Sequence, residues 1–290
     1  MRYRPFAQSG VAISTLCMVL DGARTDRVAE SWRDLAHAAF EQGINAFEVR
    51  RPTDALLAGF AVAVEAVRRQ LLFVALRLDP DLEARQVAAW TQGAVERARI
   101  GELNLLVADA EAGDDMAAAM RALKDGGLCH RVGLAGGSER LAEPVRDGVC
   151  DAVVAPFNLL SGWTDRNLVR LALEQQMGVI ACDPCPDRLD ELVEAGENHA
   201  KHGLFHRAHQ PLAAAGTYAF LRTTPGWSEE QICLAYALTE PALASVEVEA
   251  DDAEHLAHLA EAADRDLPSA VSAQIEMARF SAEKTAAARG

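Results

Sequence analysis

From residue 15 to residue 263 the sequence alternates short apolar runs with longer stretches of helical periodicity, and this rhythm constrains the fold more than any other feature. The runs at 15–20, 45–49, 71–78, 103–107, 131–134, 152–155, 179–182 and 245–248 have strand length. The intervening stretches 28–42, 53–69, 82–100, 114–124, 138–146, 165–176, 228–239 and 252–263 read as helices. In the first of them Trp32, Leu35, Ala36, Ala39 and Phe40 share one face. The run 71–78 is continuously apolar, as expected of a strand covered on both faces. Eight strands each followed by a helix predict an α/β fold, a single (β/α)8 TIM barrel. A doubly wound open sheet fits less well, because no Gly-rich phosphate turn follows the first strand. Residues 4–14, with Ser9-Gly10 as the turn, predict an N-terminal β-hairpin.

Residues 1–268 thus form the barrel domain, and residues 269–290 an Ala-rich C-terminal helical tail. The tail carries Val271, Ile275, Met277 and Phe280, which suit packing across the barrel, with a partner-binding role as the alternative. A less regular region, 184–225, interrupts the rhythm.

The formal net charge of −15 argues against a nucleic-acid binder, which needs a basic face to neutralise phosphates. No apolar run reaches the roughly 18 residues of a membrane span. The N-terminus is polar and lacks a signal-peptide core. The six cysteines are scattered, mostly in apolar stretches, which points to buried free thiols and a cytoplasmic protein.

Four segments, in order, carry a resemblance. Tyr3-Arg4-Pro5-Phe6…Ser9-Gly10-Val11…Ser14-Thr15-Leu16 opens the chain. Ala38-Ala39-Phe40-Glu41-Gln42-Gly43-Ile44-Asn45 leads into a strand that delivers Glu48 near its C-terminal end, where a βα-barrel places its chemistry. Ala155-Pro156-Phe157-Asn158-Leu159-Leu160 and Gly178-Val179-Ile180-Ala181-Cys182-Asp183-Pro184 follow. Together they resemble the aldo-keto reductases over residues 1–268. That resemblance implies carbonyl reduction with a nicotinamide cofactor, in which a Tyr donates the proton and a Lys, an Asp and a His tune it. A phenol needs such help because its unperturbed pKa near 10 is too high for donation at neutral pH.

At the positions the resemblance assigns, the Asp is Glu48, the Tyr is Thr53, the Lys is Arg77 and the His is Val107. Arg77 keeps a charge but exchanges no proton at neutral pH. No Tyr lies between Tyr3 and Tyr218, so no local shift of alignment restores the phenol. These four positions are therefore degenerate, and the expectation is a pseudoenzyme.

The cofactor positions implied by the resemblance have drifted as well. The end of the first strand reads Val19-Leu20, the carboxamide-holding pair is Ala135-Gly136, and Val154 and Cys182 stand where a Gln and a stacking Tyr are expected. Asp183, Pro184 and Cys185 follow Cys182 along the same mouth. After the last strand, Glu249-Ala250-Asp251-Asp252 places an acid where a cation would grip the extra phosphate of NADP. A carboxylate repels a 2′-phosphate but accepts hydrogen bonds from a free ribose hydroxyl, so NAD(H) is expected over NADP(H). Asp251 and Asp252 equally suit a helix cap.

Three other clusters carry less. His199, His202, His206 and His209 have partial metal-ligand spacing, but Gly203 weakens a helix there and a solvated loop is the expectation. Cys182-Asp-Pro-Cys185 has redox-motif spacing, while its place in the barrel favours structural thiols. Gly133-Leu-Ala-Gly-Gly137 before Ser138 offers a weak anion cradle.

Two functions remain. The first is a degenerate barrel that binds NAD(H) and regulates through protein partners. The pattern is similar to a family member that restrains bacterial cell division, which implies FtsZ and a sensor histidine kinase as partners. The alternative is an active oxidoreductase or lyase with relocated chemistry. There Glu48 and Asp183 would do acid–base work and Arg77 would hold an anionic substrate bidentately.

Overall fold

The computed structural model describes residues 1–24, 26–187, 189, 191, 193, 218 and 220–287, with 280–287 as backbone only. Strands β3 (Leu16–Asp21), β4 (Ala46–Arg50), β5 (Phe73–Arg77), β6 (Leu105–Asp109), β7 (Val132–Ala135), β8 (Ala152–Pro156), β9 (Gly178–Cys182) and β10 (Ser245–Val248) close into one parallel barrel. Helices α1 (Ala29–Glu41), α2 (Asp54–Val64), α3 (Val87–Ala98), α4 (Asp114–Asp125), α5 (Ser138–Asp147) and α6 (Trp163–Glu174) alternate with the strands. Further on come α7 (Phe220–Thr223), α8 (Glu229–Leu238), α9 (Ala253–Asp264) and α10 (Ser269–Ala287). No helix among the described residues is long and apolar enough to cross a membrane.

The hairpin β1 (Tyr3–Pro5) and β2 (Ala12–Ser14) seals the N-terminal end of the barrel. Phe6, just beyond β1, packs its ring 4.6 Å from that of Phe73. Gly178 makes room for it, since a Cβ there would lie 2.4 Å from Phe6 Cζ. Arg4 pins the hairpin by donating to the carbonyls of Leu238, Glu240 and Leu243. Asn45 is the stitch between hairpin and barrel: its amide donates to Ala12 and Leu71 carbonyls and its Oδ1 accepts from Ser14 N–H. The turn before it needs Gly43, whose φ of 78° is a left-handed conformation. The resemblance signature around Gly43-Ile44-Asn45 is thus a structural fastener.

Side chains alternate along each strand. Leu16, Met18 and Leu20 of β3, like Phe47 and Val49 of β4, join the layer between barrel and helices. Cys17, Ala46, Phe73, Ala75, Leu105, Val107, Ala135, Ala152, Val154 and Ile180 fill the barrel interior. The interior is apolar until its top layer, where charge appears.

Several boundaries differ from the sequence reading, the strand read at 71–78 being Phe73–Arg77 and the helix read at 82–100 being Val87–Ala98. The second helix stops at Val64, not near 69, and a turn carries the chain to β5. Strand β6 runs to Asp109, so Val107 is an interior residue two positions short of the end. The C-terminal helix packs: Val271, Ile275 and Ala278 are buried in the outer core, and Arg279 donates to the Ser161 carbonyl.

Candidate functional site at the barrel mouth

Period-two alternation puts Glu48 and Arg50 of β4 on the same inward face, with Arg77 at the end of the neighbouring β5. On the other side of β3 from β4, β10 contributes Glu247, in register with Cys17 of β3. These four charged side chains meet at the mouth. Glu48 is fully buried, the Glu247 side chain is 5% exposed, and those of Arg50 and Arg77 are 20% and 24% exposed.

Glu48 Oε1 accepts from Arg50 Nε at 2.6 Å and from Arg77 Nε at 2.7 Å. Arg50 Nη2 also bonds Glu247 Oε2, and its Nη1 lies 3.7 Å from Glu249. Arg77 Nη2 reaches Glu247 Oε1 only at 3.4 Å. Glu48 Oε2 is buried without a hydrogen-bond partner.

Two carboxylates in one buried site cannot both ionise freely. Burial opposes ionisation of Glu48, yet the guanidiniums of Arg77 and Arg50 outweigh it and hold its carboxyl below the usual range. Glu247 has the poorer bonds. Burial, and then the charge of Glu48, push it up to about 8. Burial likewise raises the thiols of Cys17 and Cys182 beside this cluster, so neither is a ready nucleophile.

The linkage has a definite sign. Folded Glu247 keeps a proton that the unfolded chain loses near pH 4.3, so stability falls as pH rises from about 4.5 through about 8. Glu247→Gln is expected to flatten that decline, which urea midpoints at acid, neutral and alkaline pH would show. An unchanged slope would place the proton elsewhere.

Above the quartet a cleft of about 380 Å3 opens, with Arg50, Arg77, Glu247 and Glu249 on its floor and Cys182, Asp183, Pro184 and Cys185 along one side. Among the described residues the lining contains no Tyr, Lys or His. A second groove of about 570 Å3 runs between the start of α1 and the start of α9, lined by Arg24, Arg27, Asp251 and Asp252 among others. Glu249 links the two, lying 3.7 Å from Arg50 and 3.9 Å from Arg24.

The sequence-derived positions separate accordingly. Glu48, Arg77, Cys182, Asp183, Pro184 and Cys185 gather at the mouth. Leu20 faces away, buried in the outer core. Ala135 is packed in the interior with Val107 and Val154, and Gly136 follows it at the end of β7. Thr53 caps α2, its hydroxyl accepting from Leu56 N–H at 3.2 Å. Asp252 caps α9 by accepting from His255 N–H, while Asp251 pairs with Arg24. The carboxylate that faces Glu48 is Glu247; Asp183 stands exposed at the rim with a left-handed φ of 51°.

Arg50, Glu247 and Arg24 are the residues sequence reasoning missed. The signal was present for the first, two residues from Glu48 on one strand face. Glu247, flanked by valines in a buried strand, was an equally readable anomaly.

The remaining clusters are quieter. All six cysteines are free. At the glycine-rich loop Asp165 already accepts from the Ser138 hydroxyl, so a carboxylate occupies that helix start. His199, His202, His206 and His209 lie outside the described residues. Among the described residues no group of His, Cys, Asp and Glu has the makings of a metal site.

No protein-family model and no curated protein matches the sequence. Among solved structures the chain is similar to the aldo-keto reductase AKR11C1 from Bacillus halodurans in its holo form, at 15% identity and a TM-score of 0.69, over 95% of each chain. At that identity the likeness establishes the fold: this chain is a (β/α)8 barrel built like an aldo-keto reductase.

Proposed function

We propose that the protein is a catalytically degenerate aldo-keto-reductase-like barrel that binds NAD(H) at its mouth and regulates protein partners. The observation that carries this reading is the quartet. Glu48 and Arg77, at the positions of the family's Asp and Lys, bind each other and Arg50, while Val107 is packed in the interior and Thr53 is committed to a helix cap. A bound nicotinamide would supply a hydride, but among the described residues no phenol, lysine or imidazole lines the cleft to supply the family's proton.

The fit to a dinucleotide rests on the cleft and groove joined at Glu249, an extended depression of the kind a two-part ligand needs. Asp251 at the groove suits a free ribose hydroxyl. Arg24 and Arg27 would favour a 2′-phosphate, but Asp251 and Glu249 already hold Arg24, and Arg27 Nη2 donates to the Ala250 and Asp251 carbonyls. We therefore take NAD(H) as the ligand. A dinucleotide would favour one arrangement of the mouth loops and a partner would read it, as a population shift. The pattern resembles KidO, a bacterial homologue that binds NAD(H) and restrains cell division, and FtsZ and a sensor histidine kinase are the partners to test first.

Calorimetric titration with NADH and NADPH is expected to give the tighter binding with NADH. Equal or tighter binding of NADPH would reverse the cofactor choice.

One observation favours a second reading. Glu247 holds its proton to about pH 8 and lines the cleft, beside an ionised Glu48. Two carboxyls with pKa values driven apart are a usable acid and base. In that reading Glu247 donates the proton in relocated chemistry, and Glu247→Gln would abolish a turnover that falls above pH 8.

A further inference from the structure

Arg77 is the least satisfied member of the quartet. Among the described residues its Nε is taken by Glu48, its Nη2 has only the long 3.4 Å contact to Glu247, and its Nη1 has no hydrogen-bond partner. Arg50, by contrast, is engaged by Glu48, Glu247 and Glu249 together. Both guanidiniums line the cleft, but Glu249 stands 3.7 Å from Arg50 Nη1, whereas no carboxylate among the described residues is paired with Arg77 Nη1. A guanidinium with free Nη donors in a partly dry site is a receptor for a planar oxyanion.

The rest of the cleft narrows the ligand. Val19, Pro184, Leu234, Val248 and Leu259 give it an apolar wall. Asp183, Glu230 and Glu249 stand around the same lining and oppose any second negative charge. We propose that the cleft takes the carboxylate of a small, largely apolar monocarboxylate on Arg77, and that Glu247 must carry a proton for it to bind.

The geometry explains the proton. Glu247 faces Glu48 and Arg50 on β4, Arg77 on β5, Cys17 on β3 and Cys182 on β9, with Glu249 two residues on. Ionised, it competes for the Arg77 Nη2 that the ligand needs, and the quartet is neutral. Protonated, it releases Arg77 and leaves two guanidiniums against the single charge of Glu48. The quartet then carries one positive charge, and because Glu249 lies 3.7 Å from Arg50, that charge is left at Arg77, where one carboxylate neutralises it. This inference rests on the mouth geometry and needs no dinucleotide.

The test titrates benzoate, with succinate and phosphate for comparison, into the full chain without nucleotide, at constant ionic strength and several pH values. Benzoate is expected to bind near pH 6.5 and to lose roughly tenfold in affinity per unit above about pH 8, as one-proton linkage requires. Succinate and phosphate are expected to bind at least about tenfold more weakly, from rim repulsion. In Glu247→Gln the pH dependence should vanish, and benzoate should bind more tightly than to the native chain near pH 9.5. A packing role for Glu247 would not give that gain. Arg77→Gln should lose binding at every pH; should that variant fail to fold, the native profile and Glu247→Gln decide alone. Absence of benzoate binding near pH 6.5, a flat native profile, a native slope retained in Glu247→Gln, or succinate or phosphate binding as tightly as benzoate would each overturn the proposal. Failure of the NAD(H) reading would show in the NADH titration and leave these outcomes unaltered.

Discussion

Arg50→Met is expected to destabilise the barrel by about 3 kcal/mol, the low end of the cost of removing one partner from a buried ion pair. Arg50 is the hub of the quartet: it bonds Glu48 and Glu247 and approaches Glu249. Methionine keeps the stem packed and removes the charge. Glu48 then retains only Arg77, and Glu247 retains only the long contact to it. Removing both buried acids along with Arg50 should restore part of the loss, because no buried carboxylate is then left uncompensated and only the part-exposed guanidinium of Arg77 lacks its partners. Urea unfolding of Arg50→Met and of the triple variant, at neutral pH, reads both effects. A single variant within about 0.5 kcal/mol of the native protein would mean that solvent already compensates the site.

The second large effect lies where two helices touch. Gly59 of α2 faces α1 so closely that a Cβ would sit 2.2 Å from the Ala29 carbonyl oxygen and 2.8 Å from Trp32 Cβ. The obstacle is helix backbone, which cannot rotate aside. Gly59→Ala should therefore cost about 3 kcal/mol in overpacking, offset by about 1 kcal/mol of improved helix propensity. The expected net loss is about 2 kcal/mol in chemical denaturation, with a lower melting temperature. An unchanged or raised stability would show that α1 shifts freely on the barrel.

Why the fold was readable and the site only half so follows from the same physics. The barrel rests on periodicity, and each strand signals its own burial; thus β5, apolar throughout, could be placed from its residues alone. The fastening role of Asn45 was visible only as a resemblance, because its partners Ala12, Ser14 and Leu71 come from three segments. Glu48 and Arg77 could be assigned to the mouth from alignment. Their contact, and the presence of Glu247, depend on barrel closure, which brings β10 beside β3, more than 220 residues away in sequence. Leu20 shows the opposite failure: a shift of one residue along a strand exchanges the mouth for the outer core. Thr53, where the resemblance expects a Tyr, has a structural role, since its hydroxyl caps α2.

The proposed loss of carbonyl reduction is tested most directly by following NADH in one cuvette. The chain is saturated with NADH at neutral pH and given simple aldehydes and ketones, with binding read from fluorescence and turnover from absorbance at the reduced nicotinamide band. Bound NADH that is not consumed above the no-enzyme rate is the expected result, because the charged side chains at the mouth are bonded to one another. Protein-dependent oxidation of NADH by any of these carbonyls would contradict it.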